Sequence, residues 1–555
     1  MSTTAPTRPP TTGRKRHRRD VAPTSPLTGL GSLIRLYGRI SRRQILLWTL
    51  AMLVLVPASI LAMEEAYPDQ GSLDARAMLL DNPSAVMMTG PYFATTRYTF
   101  WAMVANELFL YILLAAAIMS VLLTVRHTRG EEEAGRLEMV RALPTGRLAP
   151  PLAALVIVTI ADVAVGAAVS IGALAVGGAL ADSLAMGVAT ALTGLVFAAL
   201  AAVTAQLTEH AGTASGMALG LVALAFLVRG IGDVIERQGS WLSWLSPLAW
   251  AQQTRIYVDL RWWPLLLSLA ATTLLLLLAG ALSRRRDVGA GLRTASAGPD
   301  RASAALLGPG GLTRRLLTST MLAWGVGLLL FAIAFGALAS SLTDFMEDMP
   351  ALGDWAPISL DDLTGSFSGF VLLMLTLGPV ALIVAGVLRL RTEELAGRLA
   401  GLLLAGTTRH SLALTWFLVV LVEAAVMQAL LGFGVGIGVW SATDDAAWIG
   451  EMTLAALAYL PGIALCGAIA LALYGISLRA TGLAWLLVVA TALITLFGDL
   501  LGLPDWARAL SPLHHVALVP SEELEVAPLI VMGALAVVLV VIGLLGLRRR
   551  DLASG

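Results

Sequence analysis

The chain has little cysteine, lysine or charge, and each shortage excludes a class of function. Its single cysteine, Cys466, lies inside an apolar segment, so no disulfide and no cysteine-based metal cluster can form within the 555 residues. His514 and His515 are adjacent and lack neighbours at the spacing of metal ligands, which favours a surface or hydrogen-bonding role. Neither redox chemistry nor a metal site is therefore expected.

The shortage of lysine excludes nucleotide hydrolysis by this chain. A phosphate-binding loop of the G-x-x-x-x-G-K-[ST] type needs its lysine to reach the nucleotide phosphates, and the only lysine is Lys15, in the basic stretch GRKRH. The sequence also has no zinc-protease motif H-E-x-x-H, and no serine-hydrolase motif G-x-S-x-G in a context that fits such an enzyme. We therefore expect no enzyme activity and no cofactor in this chain, and any transport must draw its energy from another polypeptide or an ion gradient.

What the chain has instead is apolar length. Hydrophobic residues make up 57% and charged residues 13% of the sequence, and the mean hydropathy is +0.81, which is too high for a soluble core. Since about 20 apolar residues span a bilayer, the sequence predicts an all-α integral membrane protein with twelve transmembrane helices. The predicted spans are residues 44–63, 104–125, 150–176, 184–205, 212–231, 264–282, 319–341, 368–388, 412–439, 452–477, 482–499 and 527–547.

The basic residues are concentrated on one side of the predicted membrane, although the formal net charge is zero. If the N-terminus is cytoplasmic, 30 of the 37 lysine and arginine residues fall in cytoplasmic tails and loops. Such an excess is typical of cytoplasmic loops. We therefore expect a multi-pass protein of the plasma membrane with both termini in the cytoplasm.

Residues 1–43 form a basic N-terminal region of their own. The region is far longer than the charged start of a cleavable signal peptide, and its stretch TGRKRHRRD is interpreted as part of a disordered cytoplasmic tail near anionic lipid, with no nucleic-acid partner. Residues 27–43 then predict an interfacial helix on the inner membrane surface. Four apolar residues share one face of this helix and three arginines lie elsewhere: Leu30, Leu33, Ile34 and Tyr37, and Arg35, Arg39 and Arg42.

Two similar segments lie far apart in the sequence. A shift of 262 positions aligns RGEEEAGRLEMVRALPTGR, the first charged loop (residues 129–147), with RTEELAGRLAGLLLAGTTR, the second charged loop (residues 391–409), and nine of the nineteen positions are identical. Nearly the same shift relates RRRD at 284–287 to RRRD at 548–551. The sequence therefore predicts a tandem duplication.

The predicted organisation follows from this duplication. A first six-span repeat covers residues 44–287, a cytoplasmic linker with an interfacial helix covers 288–318, and a second six-span repeat covers 319–555. Because six is an even number, both repeats enter the membrane from the same side, and both charged loops lie on the cytoplasmic side between the second and third spans.

The first charged loop predicts a short amphipathic helix. Leu137, Val140 and Leu143 recur at helical spacing among charged residues, and Pro144 and Gly146 end the helix. A run of charges is by itself more commonly a solvated loop rich in ion pairs. The repetition of glutamates before Ala-Gly-Arg-Leu, with an arginine beyond the turn, favours recognition by a partner.

The second charged loop predicts a more apolar version of this helix. Leu399, Leu402 and Leu403 supply its apolar residues, and Gly406 ends it. Two charged residues of the first loop are replaced in the second, where Ala400 and Leu403 stand at the positions of Glu138 and Arg141.

The stretch VRHTRGEEEAGRLEMVRALPTGRLAP, together with RRRDVGAG after the sixth span, resembles the permeases of actinobacterial ABC transporters of the polyketide-antibiotic exporter family. The resemblance covers nearly the whole chain. It implies a bacterial, fused, double-length permease of the type-2 ABC architecture, in which each charged loop forms a coupling helix that docks on a separate ATPase subunit. Because the two loops differ, we expect the two docking sites to be non-equivalent.

The resemblance implies an assembly of this chain with two copies of an ABC ATPase, which bind ATP and magnesium. The other partners it implies are membrane lipid and a hydrophobic small-molecule substrate. The residues expected at the ATPase contact are Arg129, Glu131, Glu132, Gly135, Arg136, Leu137, Arg141 and Arg147 in the first charged loop, and Arg391, Glu393, Glu394, Gly397, Arg398, Leu399 and Arg409 in the second.

In exporters of this family the second and fifth helices of each half line a central cavity. Aromatic and methionine side chains suit flat or apolar substrates, although packing against neighbouring helices is the commoner role of any one of them. The cavity candidates are Asn106, Glu107, Phe109, Tyr111, Phe226, Phe370, Met374, Trp485 and Phe497. A hydrophobic drug, a lipid precursor or a peptide would fit the same apolar cavity.

A proton-coupled multidrug antiporter is the alternative function. Its support is an intramembrane carboxylate at nearly matching places in the two halves, Asp162 and Glu423. Such carboxylates are functional candidates because they are costly to bury. Protonation or hydrogen bonding between packed helices is the commoner explanation, and no full proton relay accompanies them.

Overall fold

The computed structural model describes residues 25–80, 83–94, 96–236, 238–286, 291–292, 300–337, 339, 363–404, 406–497 and 504–551. These residues form helices and turns, with no strand among them. Contacts divide the chain into two compact units, unit 1 (Met1–Pro68 with Thr99–Ala295) and unit 2 (Asp69–Tyr98 with Ser296–Gly555). The helical fold agrees with the composition, because a helix satisfies all its backbone hydrogen bonds within one apolar segment.

The helices follow one another in this order. The first twelve are α1 (Leu30–Ala66), α2 (Gln70–Leu79), α3 (Pro83–Thr89), α4 (Phe100–Met103), α5 (Phe109–His127), α6 (Arg129–Glu133), α7 (Arg136–Arg141), α8 (Ala149–Ala175), α9 (Leu180–Leu207), α10 (Ala211–Ile235), α11 (Pro247–Gln252) and α12 (Pro264–Ser283). The others are α13 (Pro309–Gly336), α14 (Leu363–Leu395), α15 (Arg398–Leu404), α16 (Arg409–Thr443), α17 (Ala447–Ala458), α18 (Leu460–Ile476), α19 (Gly482–Phe497), α20 (Asp505–Arg508) and α21 (Val526–Arg549). A π-helical turn, Val104–Leu108, joins α4 to α5.

In unit 1 the helix α9 is central, and it packs against α5, α8, α10 and α12. Helix α8 also packs against α1 and α5, and α5 packs against α10. The approach of α8 to α9 is close, because a Cβ atom on Gly187 would lie 2.2 Å from the carbonyl oxygen of Gly166. Small residues permit this approach between membrane helices.

The helix pairs that pack in unit 2 correspond to the seven pairs described for unit 1, when the apolar segments of each unit are numbered from first to sixth along the chain. The fourth apolar segment is formed by α17 and α18, and it contacts the second (α14), third (α16), fifth (α19) and sixth (α21). The third also contacts the first (α13) and the second, and the second contacts the fifth. Each unit therefore has the same set of neighbours around its fourth segment.

Eleven helical segments of the described chain are long and apolar enough to cross a membrane, six in unit 1 and five in unit 2. Eleven of the twelve predicted spans correspond to them. The other predicted span, residues 482–499, corresponds to α19, an apolar helix of 16 residues. The predicted end of this span, residue 499, falls within residues 498–503, which lie outside the described part of the chain.

The predicted N-terminal interfacial helix is not a separate element. Helix α1 runs unbroken for 37 residues from Leu30 into the first span. Its buried residues Leu33 and Tyr37 pack in one cluster with Ala153 and Ile157 of α8. The sequence identified the buried face, but assigned it to the membrane surface rather than to a neighbouring helix. The basic stretch within residues 1–24 lies outside the described part of the chain.

Two further boundaries differ from the predicted domains. Helix α13 begins at Pro309 and is continuous to Gly336, so the end of the predicted linker belongs to the first membrane helix of unit 2. Residues 69–98, predicted within the first repeat, group with unit 2, where α3 packs against α13. The physical reason is that these short helices bury apolar residues such as Val86 and Met88, which require a packing partner.

Candidate functional site in the two charged loops

The first charged loop turns at Gly135, between α6 and α7. Gly135 adopts a φ of 69°, a left-handed conformation that glycine reaches without a steric penalty. The chain then forms α7 and reaches Thr145, whose hydroxyl donates a hydrogen bond to the carbonyl of Val140 at 2.8 Å. The predicted short helix is present, and it ends before Pro144 as expected.

The second charged loop follows the same course. Helix α14 continues to Leu395, and Gly397 then adopts a φ of 72°. After α15, the hydroxyl of Thr407 donates to the carbonyl of Leu402 at 2.7 Å. The left-handed glycine, the short helix and the threonine hydrogen bond thus occur at aligned positions of the two loops.

Each loop has an outer ion pair between residues on either side of its left-handed glycine. Arg136 donates to Glu131 through Nε at 2.7 Å and Nη2 at 2.9 Å, and Arg398 donates to Glu393 through Nε at 2.6 Å. These hydrogen bonds raise the pKa of Arg136 and of Arg398 above the usual value for arginine. Both arginine side chains are more than half exposed, so the outer pairs contribute little stability.

Each loop also has an inner carboxylate that faces the end of the last helix of its unit. Arg286 donates to both carboxylate oxygens of Glu132, through Nη1 and Nη2, at 2.8 Å each. Arg550 binds Glu394 in the same two-pronged way, also at 2.8 Å for each bond. Planar, bidentate contacts of this kind are the strongest ion pairs of proteins.

The inner carboxylates differ in their remaining partners. Arg129 is buried and also pairs with Glu132, whereas the aligned Arg391 is exposed. In the second loop the hydroxyl of Tyr474 instead donates to Glu394 at 2.6 Å. Burial by itself would lower the pKa of Arg550, but Glu394 raises it above its usual value.

The apolar residues of the two loops divide into buried and exposed ones. Leu137 and Leu399 are buried by the chain itself, at 7% and 5% exposure. In the first loop Met139 and Leu143 are exposed at 65% and 62%, and in the second Leu404 is exposed at 90%. The helical spacing predicts that Leu143 shares one face with Leu137, and this prediction is wrong. Helix α7 ends at Arg141, so Leu143 lies beyond the helix and is exposed.

Three predicted arginines lie at the ends of the loops. Arg141 and Arg147 are exposed. Arg409 is half-buried, and its Nη1 donates to the backbone carbonyl of Arg550 at 3.0 Å. The second loop is thus attached to the end of α21 at two points, through Glu394 and through Arg409.

The chain segment before α1 lies on the first charged loop. The amide of Gly146 donates to the carbonyl of Thr28 at 2.9 Å, and the amide of Leu148 donates to the carbonyl of Pro26 at 3.1 Å. A Cβ atom at position 146 would lie 2.1 Å from the Pro26 oxygen, so this approach requires Gly146. At Gly406 of the second loop, a Cβ atom would meet nothing within 4 Å.

The predicted cavity residues are distributed between the core and the exposed helix faces. Asn106 and Phe109 are buried, at 8% and 1% exposure, while Tyr111 and Trp485 are exposed at 41% and 45%. The half-buried candidates are Glu107, Phe226, Phe370 and Met374. Phe497 is the last residue of α19, and its side chain lies outside the described part of the structure.

The two intramembrane carboxylates occupy different surroundings. Asp162 is fully buried on α8, where its Oδ1 accepts a hydrogen bond from the hydroxyl of Ser120 at 2.5 Å. Glu423 is only half-buried on α16. In both residues one buried carboxylate oxygen, Oδ2 of Asp162 and Oε2 of Glu423, has no hydrogen-bond partner within the described structure. The described residues also include no group of three or more His, Cys, Asp or Glu side chains that could hold a metal.

Sequence reasoning missed the partners of the inner carboxylates. Arg286 and Arg550 are the third arginines of the two RRRD stretches, whose repetition was visible. Gln206, near the end of α9, accepts a hydrogen bond from Nε of Arg286 at 2.7 Å, and Tyr474 lies near the end of α18. The repetition was a usable signal, but it did not indicate which residues the arginines contact.

These helices and loops define an all-helical, multi-pass membrane protein. A family model described as the C-terminal domain of the multidrug efflux system permease Rv1217c matches residues 306–548. The chain is also 33% identical over 532 residues to the multidrug efflux system permease protein Rv1217c of Mycobacterium tuberculosis (strain ATCC 25618 / H37Rv), covering 95% of this chain and 96% of that protein. The chain therefore belongs to the family of this multidrug efflux permease.

Proposed function

We propose that this chain is the membrane-spanning subunit of an ATP-driven ABC exporter that expels hydrophobic or amphiphilic compounds, including antibiotics. Its relative is a multidrug efflux system permease. The chain has no lysine in a phosphate-binding loop, since its only lysine is Lys15. Hydrolysis of ATP therefore falls to a separate subunit, which also binds the magnesium ion.

The observation that carries this proposal is the matched construction of the two charged loops. Each loop follows the second apolar segment of its unit and turns at a left-handed glycine. An inner glutamate of each loop binds an arginine that follows the last helix of the unit. Together with the sequence identity between the loops, these contacts favour a duplicated permease. In it, α19 is the eleventh of twelve spans and both termini are cytoplasmic.

Each charged loop acts in this proposal as a coupling helix on one copy of the ATPase. Exposed apolar residues beside charged ones suit a protein interface, because apolar contact supplies affinity and charge sets the register. The first loop offers Met139 and Leu143, and the second offers Leu404. We expect the two ATPase contacts to differ in strength for this reason.

The proton-coupled alternative has less support. A matched pair of proton-carrying residues would have similar surroundings. Each carboxylate does have one buried oxygen without a hydrogen-bond partner in the described structure. Asp162, however, is fully buried and bound by Ser120, whereas Glu423 is only half-buried. The lack of equivalence favours separate structural roles for the two carboxylates.

Transport by purified protein tests the proposal. The tagged chain is purified with its bound subunits from the native membrane and placed in vesicles, and uptake of the amphiphilic dye ethidium is followed. We expect uptake that requires ATP and magnesium and persists when a protonophore abolishes the proton gradient. Uptake that follows an imposed proton gradient without ATP would establish the antiporter instead.

A further inference from the structure

The inner ion pairs connect three separate elements in each unit. In unit 1 the first charged loop contributes Glu132, the chain after α12 contributes Arg286, and the end of α9 contributes Gln206. The guanidinium of Arg286 contacts both other side chains, at 2.8 Å and 2.7 Å. The loop between the second and third spans is thereby tied to the fourth and sixth spans.

Unit 2 makes the same connection with different chemistry. Glu394 from the second charged loop accepts two hydrogen bonds from Arg550, which follows α21, and one from the hydroxyl of Tyr474 on α18. The Arg550 guanidinium also lies 5.1 Å from the centre of the Tyr474 ring. A loop glutamate is again tied to the ends of the fourth and sixth spans.

These contacts are shielded from solvent. The side chains of Arg286 and Glu132 are 7% and 11% exposed, and those of Arg550 and Glu394 are 14% and 1% exposed. An exposed ion pair exchanges readily with water, whereas a shielded bidentate pair keeps its two partners in one relative geometry. Movement of the loop must therefore move the attached helix ends or break the pair.

In each RRRD stretch the third arginine alone makes this contact. Arg284 and Arg285 in unit 1 are exposed, as are Arg548 and Arg549 in unit 2. A merely topological role in marking the cytoplasmic side would not distinguish among the three arginines. The repeated choice of the third position, at loops with different surrounding partners, indicates a specific contact.

We propose that the Glu132–Arg286 and Glu394–Arg550 pairs are positioning contacts that convert movement of each charged loop into movement of the fourth and sixth spans. This inference rests on the proposed function, because the movement originates in the ATPase subunits. The residues touch neither substrate nor nucleotide. Their role is to keep ATP hydrolysis linked to transport.

The test compares Arg286→Gln and Arg286→Lys with the matched control Arg285→Gln, each purified as the complete transporter. The measured quantities are the amount of bound ATPase, the rate of ATP hydrolysis and the number of ethidium molecules transported for each ATP hydrolysed. Arg286→Lys keeps a buried positive charge beside Glu132 but loses the planar, two-pronged geometry. It therefore serves as the variant that folds if Arg286→Gln does not.

We expect both Arg286 variants to bind the ATPase and hydrolyse ATP, while the number of ethidium molecules transported for each ATP hydrolysed falls by about tenfold. Arg285→Gln should behave like the parent. A charge exchange is made at the other pair, because the buried Arg129 would repel a second arginine at position 132. The double exchange Glu394→Arg with Arg550→Glu restores opposite charges beside the neutral Tyr474 and should recover part of the transport that an Arg550 variant loses. The corresponding changes at Arg550 and Arg549 should show the same pattern.

An unchanged ratio of transport to hydrolysis in assembled Arg286→Lys transporter would overturn the inference and leave the pair a structural contact. Parallel loss of ATPase binding, hydrolysis and transport would also overturn it, because the pair would then only shape the docking surface. Failure of the parent chain to show ATP-dependent transport would be a different result, since it would refute the proposed function itself.

Discussion

In the first charged loop Glu132 faces two arginines, Arg129 and Arg286, whereas in the second Glu394 faces Arg550 and the phenol of Tyr474. The backbone course is nevertheless the same, with a left-handed glycine at the aligned position. The bidentate contact to the last helix is common to both loops, whereas the second partner of the glutamate is not. The second partner of each glutamate can be exchanged for a side chain of other chemistry.

The largest predicted difference between the loops concerns stability. Removing one member of a buried ion pair costs about 3–5 kcal/mol, because a charge is left buried without its partner. Glu132→Ala leaves two guanidinium groups in that state, while Glu394→Ala leaves one guanidinium and a phenol. Thermal unfolding of the purified chain should therefore show a larger decrease in Tm for Glu132→Ala. Glu138→Ala, at an exposed position, is the control, and an equal or larger effect at Glu394 would contradict the comparison.

The second prediction concerns the partner surface. Met139→Ser combined with Leu143→Ser should weaken ATPase binding by about tenfold or more, since truncating a well-packed interface residue often costs ~2 kcal/mol. Tm should be unchanged, because both residues are exposed. Leu404→Ser should have a smaller effect, as it removes one apolar side chain rather than two. Binding is measured by titrating purified ATPase.

The matched control for these changes is Leu245→Ser, a leucine with 64% exposure on the segment after α10. It removes a similar exposed side chain, at the opposite end of the helices according to the predicted topology. Equal binding by the Met139 and Leu143 variant and the parent would show that the first charged loop is a solvated turn.

The third prediction concerns the N-terminal segment, which contacts the first loop. Gly146→Ala should displace residues 25–28, and the two lost backbone hydrogen bonds are worth about 1 kcal/mol each. Gly406→Ala should cost about 1–2 kcal/mol of local strain from its positive φ, but displace nothing. Hydrogen exchange at the amide of Leu148 should quicken only in the Gly146 variant. Retained protection there would mean that the segment does not require the glycine.

The smallest predicted effect is at the intramembrane carboxylates. Asp162→Asn preserves side-chain volume and the acceptor for Ser120, and Glu423→Gln preserves volume on a half-buried surface. ATP-driven ethidium uptake should be essentially unchanged in both. Loss of uptake together with loss of any dependence on the proton gradient would instead support the antiporter.

The sequence was sufficient to predict eleven of the membrane-spanning segments and the two short loop helices, but not the contacts between distant elements. Apolar length predicts the spans, and the repeated Ala-Gly-Arg-Leu predicts the short helix of each charged loop. The inner ion pairs join residues 154 and 156 positions apart, so no local periodicity indicates them. For the same reason the apolar face of residues 30–37 was assigned to the membrane surface, since amphipathicity identifies a buried face but not what covers it.

The most direct test of the central claim is the native mass of the intact transporter. Because both charged loops belong to one chain, we predict one copy of this permease with two copies of the ATPase. Native mass spectrometry of the complex, released from detergent and containing the tagged chain, gives this ratio directly. A complex with two permease chains for two ATPase subunits would contradict the account, because each chain would then use only one of its loops.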